Sequence, residues 1–256
     1  MLNFSAGIQR LFYKLGFLAL TLKAIRFFVR RWNVSSKILV MQILFTFVQA
    51  MGLSSMLALG IGAAVNVIGI PYLEKISQQQ LIYSLLIAII MRELGPLLTA
   101  FIVSARSATA IATEIAGMII NHEIEAYISV GVDPIEHLAV PRFLGVTISL
   151  FMLNLYFSVF GLVGSYLVAQ VFTTLPADYY FGNLLQNLSI NDLFISAIKS
   201  IAFGMIISVG AITEGLSVDR ATTEVPIAGL RAVSNAFAGC IVVDILLSAM
   251  YYIALV

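Results

Sequence analysis

Charged side chains are scarce in this sequence. Lysine, arginine, aspartate and glutamate make up 11% of its 256 residues, whereas ordinary soluble domains carry about 25%. Hydrophobic residues make up 61%, so the composition excludes a typical water-soluble domain and indicates wide contact with lipid. The formal net charge of +1 excludes a protein that attracts nucleic acid through bulk electrostatics. We therefore expect membrane lipid, and no nucleic acid, among the partners of this chain.

Cysteine and histidine are nearly absent as well. Cys240 is the single cysteine, which excludes an internal disulfide, and its place in an apolar run favours a small packing residue. With only His122 and His137 beside it, no Cys/His metal site is expected. The sequence has neither the G-x-x-x-x-G-K-[ST] loop that cradles phosphates nor a G-x-S-x-G nucleophile motif. We expect no catalytic residue, metal or cofactor in this chain and predict that it is not an enzyme.

Five long apolar runs are the main positive feature of the sequence. Each meets or exceeds the length of about 20 residues that a helix needs to cross a bilayer. The runs cover residues 38–70, 81–120, 143–172, 193–216 and 232–256. They predict an all-α polytopic membrane protein with five transmembrane helices, the second of which Pro96 should kink. The segments between the runs, including residues 173–192, are expected to be extramembrane loops.

The first 36 residues have a different pattern. Between residues 3 and 31, apolar side chains recur at helical spacing and six basic residues interrupt them. This pattern is typical of an amphipathic helix that lies in the membrane interface, and a hairpin of two short soluble helices is the alternative. No compact apolar core followed by small residues is present, so we expect no cleavable signal. The prediction is one domain over residues 1–256, with residues 1–36 interfacial and residues 37–256 transmembrane.

Lysine and arginine predict the orientation of the chain. With the N-terminus in the cytoplasm, ten of these residues fall in cytoplasmic segments and Lys75 alone falls in an outer loop. Because cytoplasmic loops are enriched in basic residues, we predict a cytoplasmic N-terminus. Residues 121–142 then form the main cytoplasmic loop, between the second and third spans. A short helix is expected there from Glu123 to about Val130, ended by Gly131.

Several charged residues lie inside the apolar runs. An isolated charge at that depth costs at least about 2.5–3.5 kcal/mol, so Arg92, Glu93 and Lys199 should be compensated. Neighbouring residues on a helix point about 100° apart, so Arg92 and Glu93 cannot face one partner. We predict that Glu93 pairs with Lys199 between helices and that Arg92 is left free to attract a lipid phosphate; the alternative is that all three only stabilise packing. Glu114 and Asp244 are expected to join helices rather than contact substrate.

Several ordered motifs resemble those of MlaE-type permeases. The motifs are R-E-L-G-P-L-L-T-A from residue 92, A-R-S-A from 105, A-T-E-I from 112, E-I-E-A from 123, G-V-D-P from 131 and V-P-R from 140. Ile198-Lys199-Ser200, Ala221-Thr222-Thr223 and Val243-Asp244 also fit the family. The resemblance extends from about residue 38 to the C-terminus, and the ordered set is far more specific than any single motif.

This resemblance implies a fold, a set of partners and a function. The implied fold is an N-terminal interfacial helix followed by five transmembrane helices, and the implied assembly is a homodimer. Two copies of a cytoplasmic ABC ATPase would bind the ATP, and an MCE-domain substrate-binding protein would lie on the other side. The implied role is the permease subunit that moves phospholipid or a related lipid between the bacterial inner membrane and that periplasmic carrier. Related permeases also occur in plastid envelopes.

Roles for individual residues follow from the charges and from the resemblance. The charged residues inside the apolar runs, Arg92, Glu93 and Lys199, are the expected substrate path. The short cytoplasmic helix is expected to couple to the ATPase through Glu123, Glu125 and Asp133, although a solvated loop is the alternative reading of that segment. An ion-gradient-driven secondary transporter is a second functional hypothesis, which five spans without a visible repeat fit poorly. A membrane-embedded enzyme is the third hypothesis, and it would need a nucleophile, a metal cluster or an acid–base pair.

Overall fold

The computed structural model describes residues 4–30, 32–75, 80–172, 176–219 and 221–255. Within these ranges the chain is helical apart from short turns and contains no strand. The α-helices are α1 (Phe4–Arg30), α2 (Trp32–Lys75), α3 (Leu81–Leu86), α4 (Leu94–Val103), α5 (Thr109–Ile120), α6 (Glu123–Ser129), α7 (Val140–Phe172), α8 (Ala177–Asn187), α9 (Ile190–Leu216) and α10 (Val225–Leu255). Three π-helices, Ile87–Glu93, Ser104–Ala108 and Ile135–Ala139, lie between some of them. The all-α prediction is confirmed.

Five helical stretches of the described chain are long and apolar enough to cross a membrane. They are Leu39–Leu73, Leu81–Ile120, Ile135–Gln170, Ile190–Leu216 and Thr222–Ile253. The predicted number of spans is therefore confirmed, and the second span has the predicted bounds. The third and fifth spans begin earlier than predicted, because helical structure continues through polar residues at their starts. Composition alone does not reveal that continuation.

The described contacts divide the chain into two compact units. The first unit consists of Met1–Thr46, Val103–Ser149 and Gly204–Cys240. In this unit α1 is one continuous helix that packs against the π-helix Ile135–Ala139, so the alternative of a two-helix hairpin is wrong. Phe17 and Thr21 are buried, and Lys14 Nζ lies 2.9 Å from Glu214 Oε1. These contacts attach one face of α1 to the rest of the unit.

The second unit consists of Phe47–Ile102, Leu150–Phe203 and Ile241–Val256. Its apolar core includes the fully buried Leu86, Ile90 and Phe157. The predicted loop over residues 173–192 is corrected here, because α8 forms within it. Tyr180 and Leu184 lie one turn apart on α8 and are both buried, so this segment is an amphipathic helix that packs on the core.

Tyr180 fixes α8 to this core through its ring and its hydroxyl. The ring makes an edge contact with Tyr83 at a centroid distance of 5.5 Å, and the hydroxyl lies 2.6 Å from Ser165 Oγ. Burial raises the pKa of the Tyr180 phenol, and the hydrogen bond with Ser165 opposes that shift. The hydroxyl therefore stays neutral at physiological pH and acts as a hydrogen-bonding group.

Candidate functional site

Lys199 is the centre of a buried polar cluster in the second unit. Its side chain is fully buried, although it carries a charge in a stretch of membrane-spanning length. Lys199 Nζ donates hydrogen bonds to Glu93 Oε2 at 2.7 Å, to Ser248 Oγ at 2.7 Å and to the main-chain carbonyl of Arg92 at 2.9 Å. These bonds use all three N–H groups of the ammonium. The predicted pair between Glu93 and Lys199 is confirmed.

Asp244 brings a second carboxylate to the cluster. Its Oδ1 lies 2.9 Å from Lys199 Nζ and forms a second ion pair with it. Ser248 follows one turn later on α10 and donates a hydrogen bond to Glu93 Oε2 at 2.9 Å. The cluster thus joins the π-helix Ile87–Glu93, α9 and α10. Asp244 connects two helices, as its position inside an apolar run led us to expect.

Pro96 explains why the Arg92 carbonyl is available to Lys199. In an α-helix that carbonyl would accept the N–H of residue 96, and proline has no N–H and crowds the carbonyl four residues earlier. The chain widens into the π-helix Ile87–Glu93 just before this position and continues as α4 through Pro96. Lys199 then donates to the Arg92 carbonyl. The irregularity associated with Pro96 is therefore a π-helix in the preceding turn, and helical structure continues through the proline.

The prediction that Arg92 is left free is wrong. Its Nη1 lies 3.4 Å from Asp192 Oδ1, and its guanidinium carbon lies 5.6 Å and 5.7 Å from the ring centroids of Tyr251 and Tyr252. Tyr251 also donates a hydrogen bond to Asp192 Oδ1 at 3.3 Å. Arg92 is thus held between one carboxylate and two aromatic rings. The physical reason is that α9 carries an acidic residue, Asp192, in its first turn, which supplies the opposite charge.

Glu114 has a partner in the first unit. Its Oε1 lies 2.8 Å from Arg142 Nη2, and the exposed side-chain fractions are 59% for Glu114 and 11% for Arg142. Arg142 Nη1 also donates to the carbonyl of Leu138 at 2.9 Å. Glu114 therefore links the second span to the third. The sequence identified both residues but did not pair them.

The predicted short helix after the second span is α6. It ends at Ser129, and Gly131 follows two residues later with a φ of +75°, in the left-handed region that favours glycine. The N–H of Gly131 donates to the Ile128 carbonyl and that of Val132 donates to the Tyr127 carbonyl, which are the two bonds of a Schellman cap. The helix is therefore closed sharply where the sequence predicted its end.

The three acidic residues predicted for coupling have different environments around α6. Glu123 and Glu125 are exposed in its first turn, and Glu125 Oε2 lies 2.7 Å from His122 Nδ1. Asp133 lies after the helix and accepts the N–H of Ile135 at 2.9 Å, so it caps the start of the following helical segment. In the described part of the chain, no three His, Cys, Asp or Glu side chains are grouped so that they could hold a metal ion.

Comparison with known proteins identifies the family of this chain. The family described as permease MlaE matches residues 39–250. The chain belongs to the MlaE permease family. This match covers four spans and most of the fifth, together with the Lys199 cluster and α6. The five apolar helices of the family member are those of a multi-pass membrane protein.

Named relatives of this MlaE-family permease agree with the assignment. A Rickettsia typhi protein named probable ABC transporter permease is 31% identical over 157 residues, which cover 59% of this chain and 61% of the relative. A Rickettsia prowazekii protein of the same description is 26% identical over 84% of this chain and 83% of its own length. The Haemophilus influenzae intermembrane phospholipid transport system permease protein MlaE is 24% identical, with 80% and 79% covered. All three are named as permeases.

Sequence reasoning about the permease missed Asp192, Ser248 and the tyrosine pair at residues 251 and 252. One signal for Asp192 was present. Ser189 and Asp192 have the spacing of a helix capping box, and Asp192 Oδ2 accepts the N–H of Ser189 at 3.0 Å. That pattern places the start of α9 at residue 190. Ser248 had no comparable signal, because an uncharged hydroxyl in an apolar run needs no distant partner.

Proposed function

We propose that this permease is the membrane-spanning subunit of an ABC transporter that moves phospholipid or a related lipid between the bacterial inner membrane and a periplasmic MCE-domain carrier. Membership of the MlaE family supports lipid transport by a permease. The relative from Haemophilus influenzae carries intermembrane phospholipid transport in its name, which supports phospholipid as the substrate class. A separate ATPase supplies the energy, since this sequence has no phosphate-cradling loop.

The observation that carries this proposal is the charged cluster around Lys199. Charged groups at this depth are expensive, and replacing a buried ion pair by packed apolar residues is often neutral or stabilising. A cluster of one ammonium and two carboxylates is therefore more than helix packing requires. We assign Glu93 and Lys199 to the substrate path. Arg92 is also part of the substrate path. Its guanidinium exchanges the Asp192 carboxylate for the phosphate of the lipid, because a guanidinium binds carboxylate and phosphate through the same kind of hydrogen bonds.

The permease acts as a homodimer with two copies of its ATPase, and α6 is the proposed contact with each ATPase. No residue of α6 is buried in the chain itself, and Ile128 is exposed beside the two glutamates. An exposed apolar side chain next to acidic groups suits a partner surface with an apolar pocket and basic groups around it. Closure of the helix at Gly131 makes it a short rigid element that can transmit force.

Charge reversal on α6 is expected to weaken the complex with the ATPase. In the double variant Glu123→Lys with Glu125→Lys, we expect ATPase co-purified in mild detergent to fall at least about tenfold, because like charges at an interface cost several kcal/mol. The loss of the exposed contact between His122 and Glu125 should cost the permease itself less than about 1 kcal/mol.

A matched control is Asp178→Lys, which reverses an exposed acid in the first turn of α8. It should leave co-purification unchanged. The same preparation tests the wider proposal: the permease alone should hydrolyse no ATP, and vesicles containing the complex should move labelled phospholipid only when ATP is present. Normal ATPase recovery with both α6 substitutions would refute the docking role. Uptake driven by an ion gradient, with no ATPase bound, would favour a secondary transporter.

Thiol labelling tests the proposed orientation, with the N-terminus in the cytoplasm. In a chain carrying Cys240→Ser, single cysteines replace Gln186 on α8 and Ser217 after α9, both of which are exposed. An impermeant thiol reagent added to intact spheroplasts should label position 186 strongly and position 217 only after the membrane is opened. The reverse pattern would overturn the orientation.

A further inference from the structure

A cavity in the first unit has the shape and charge of a phospholipid site. Its volume is about 570 Å³, within the range of about 300–1,000 Å³ that is usual for small-molecule sites. Its polar lining consists of Lys37, Gln42, Ser107, Glu114, His137 and Arg142. Every lining residue belongs to the first unit, whereas the Lys199 cluster belongs to the second. The cavity therefore shares no residue with the substrate path proposed above.

The charged groups of this cavity favour an anion. Lys37 and Arg142 carry two positive charges and Glu114 carries one negative charge, so the fixed charges sum to +1 before His137 is counted. Glu114 takes up one side of Arg142. Arg142 Nε is buried without a hydrogen-bond acceptor among the described residues, which indicates a guanidinium that is not fully satisfied. No described carboxylate lies within ion-pair distance of Lys37, so its charge is available to a ligand with one negative charge.

The apolar walls of the cavity favour a lipid over a free anion. Lys37, Met41 and Phe45 recur at four-residue spacing, so they form one stripe along α2 about 12 Å long. Lys37 precedes the membrane-spanning stretch Leu39–Leu73, and the other two lie inside it. Met41 and Phe45 are 69% and 49% exposed. The stripe thus runs from a cation at the membrane surface to apolar side chains at acyl-chain depth.

We propose that this cavity is a binding site for an anionic phospholipid, with the phosphodiester between Lys37 and Arg142 and an acyl chain against Met41 and Phe45. The order of charge and apolar surface along α2 matches the order of phosphate and acyl chain in a lipid. A long-chain lipid also gains free energy from burying its methylene groups against these residues, which inorganic phosphate does not. The site depends on the chain spanning a membrane and does not depend on transport or on the ATPase.

Native mass spectrometry of the full chain in mild detergent tests the proposal. The probes are dioleoylphosphatidylglycerol, dioleoylphosphatidylcholine, dioleoylglycerol and inorganic phosphate. We expect phosphatidylglycerol to be retained best and dioleoylglycerol to be lost. Lys37→Gln should reduce phosphatidylglycerol retention about tenfold, as expected for one charge-assisted contact. Ala110→Phe, which fills the cavity from its lining, should reduce it at least as much. Lys75→Gln is the matched control and should have no effect.

Each other outcome overturns the proposal. Unchanged retention in both Lys37→Gln and Ala110→Phe would place the bound lipid elsewhere on the chain. Displacement of phosphatidylglycerol by millimolar phosphate would make the cavity a simple anion site. If Lys37→Gln or Ala110→Phe changes the mass of the oligomer and leaves lipid retention unchanged, a second copy of the chain covers this face. Because no ATP and no transport enter the measurement, failure of the transport proposal leaves its result intact.

Discussion

Replacement of Lys199 by methionine is expected to destabilise the permease by about 3–5 kcal/mol and to abolish lipid transport. The substitution leaves Glu93 and Asp244 as two partly buried carboxylates without the fully buried cation they share, and breaking a buried ion pair from one side has costs of this size. The Arg92 carbonyl also loses its bond to Nζ. Reversible unfolding in mixed micelles and transport in reconstituted vesicles measure the two effects separately.

Two further variants separate stability from function at this cluster. Lys14→Met breaks another lysine–glutamate contact at 2.9 Å, but the Lys14 side chain is 25% exposed whereas that of Lys199 is fully buried, so we expect a loss of about 1 kcal/mol or less. The triple variant Lys199→Met, Glu93→Gln and Asp244→Asn removes all three charges together and should recover most of the stability. If the triple variant also transports lipid normally, the cluster is structural and its assignment to the substrate path is wrong.

Asp244 changes the expected result of exchanging the charges at positions 93 and 199. If Glu93 and Lys199 formed an isolated pair, Glu93→Lys with Lys199→Glu would restore it. In the structure, position 199 also faces Asp244 and the Arg92 carbonyl. A glutamate there would meet a second carboxylate and a carbonyl oxygen, so we expect the swapped permease to remain unstable. Adding Asp244→Lys should then recover more stability than the swap alone.

The five spans could be predicted because a bilayer imposes a minimum length on an apolar helix. Composition is sufficient to predict the spans, and it predicted the observed bounds of the second span. The polar ends of helices are determined by other interactions. α8 and the early start of the third span depend on caps and on packing of a few side chains, such as Asp133 and Tyr180. Those signals are local and weak beside the hydrophobic pattern.

The candidate site was predictable only as far as charge balance determines it. A lysine and a glutamate inside different apolar runs have to be compensated, and this argument found the pair between Glu93 and Lys199. It could not find the Asp192 contact of Arg92 or the place of Asp244, because several pairings satisfy the same charge balance. The choice among them depends on how the helices pack, and residues distant in sequence decide that.

The close contact between α2 and α7 at Gly62 predicts the second large effect on stability. A Cβ at Gly62 would lie 2.6 Å from the Gly161 carbonyl oxygen and 2.9 Å from Ser165 Cβ. Both positions belong to α7, and one of the opposing atoms is main-chain, so relief requires α2 and α7 to separate. A Cβ at Gly60, two residues earlier on α2, would have no heavy atom of a neighbouring part of the described chain within 4 Å.

Gly62→Ala is therefore expected to destabilise the permease by about 1–3 kcal/mol, the usual cost of overpacking, whereas Gly60→Ala should be neutral or stabilising by up to about 1 kcal/mol because alanine is the better helix former. Reversible unfolding in mixed micelles measures both changes on the same helix, with the same added methyl group. Since small residues let helices approach within a bilayer, the loss should also be larger for Gly62→Val than for Gly62→Ala. Equal effects of the two alanine substitutions would mean that α2 and α7 do not make this contact in the folded permease.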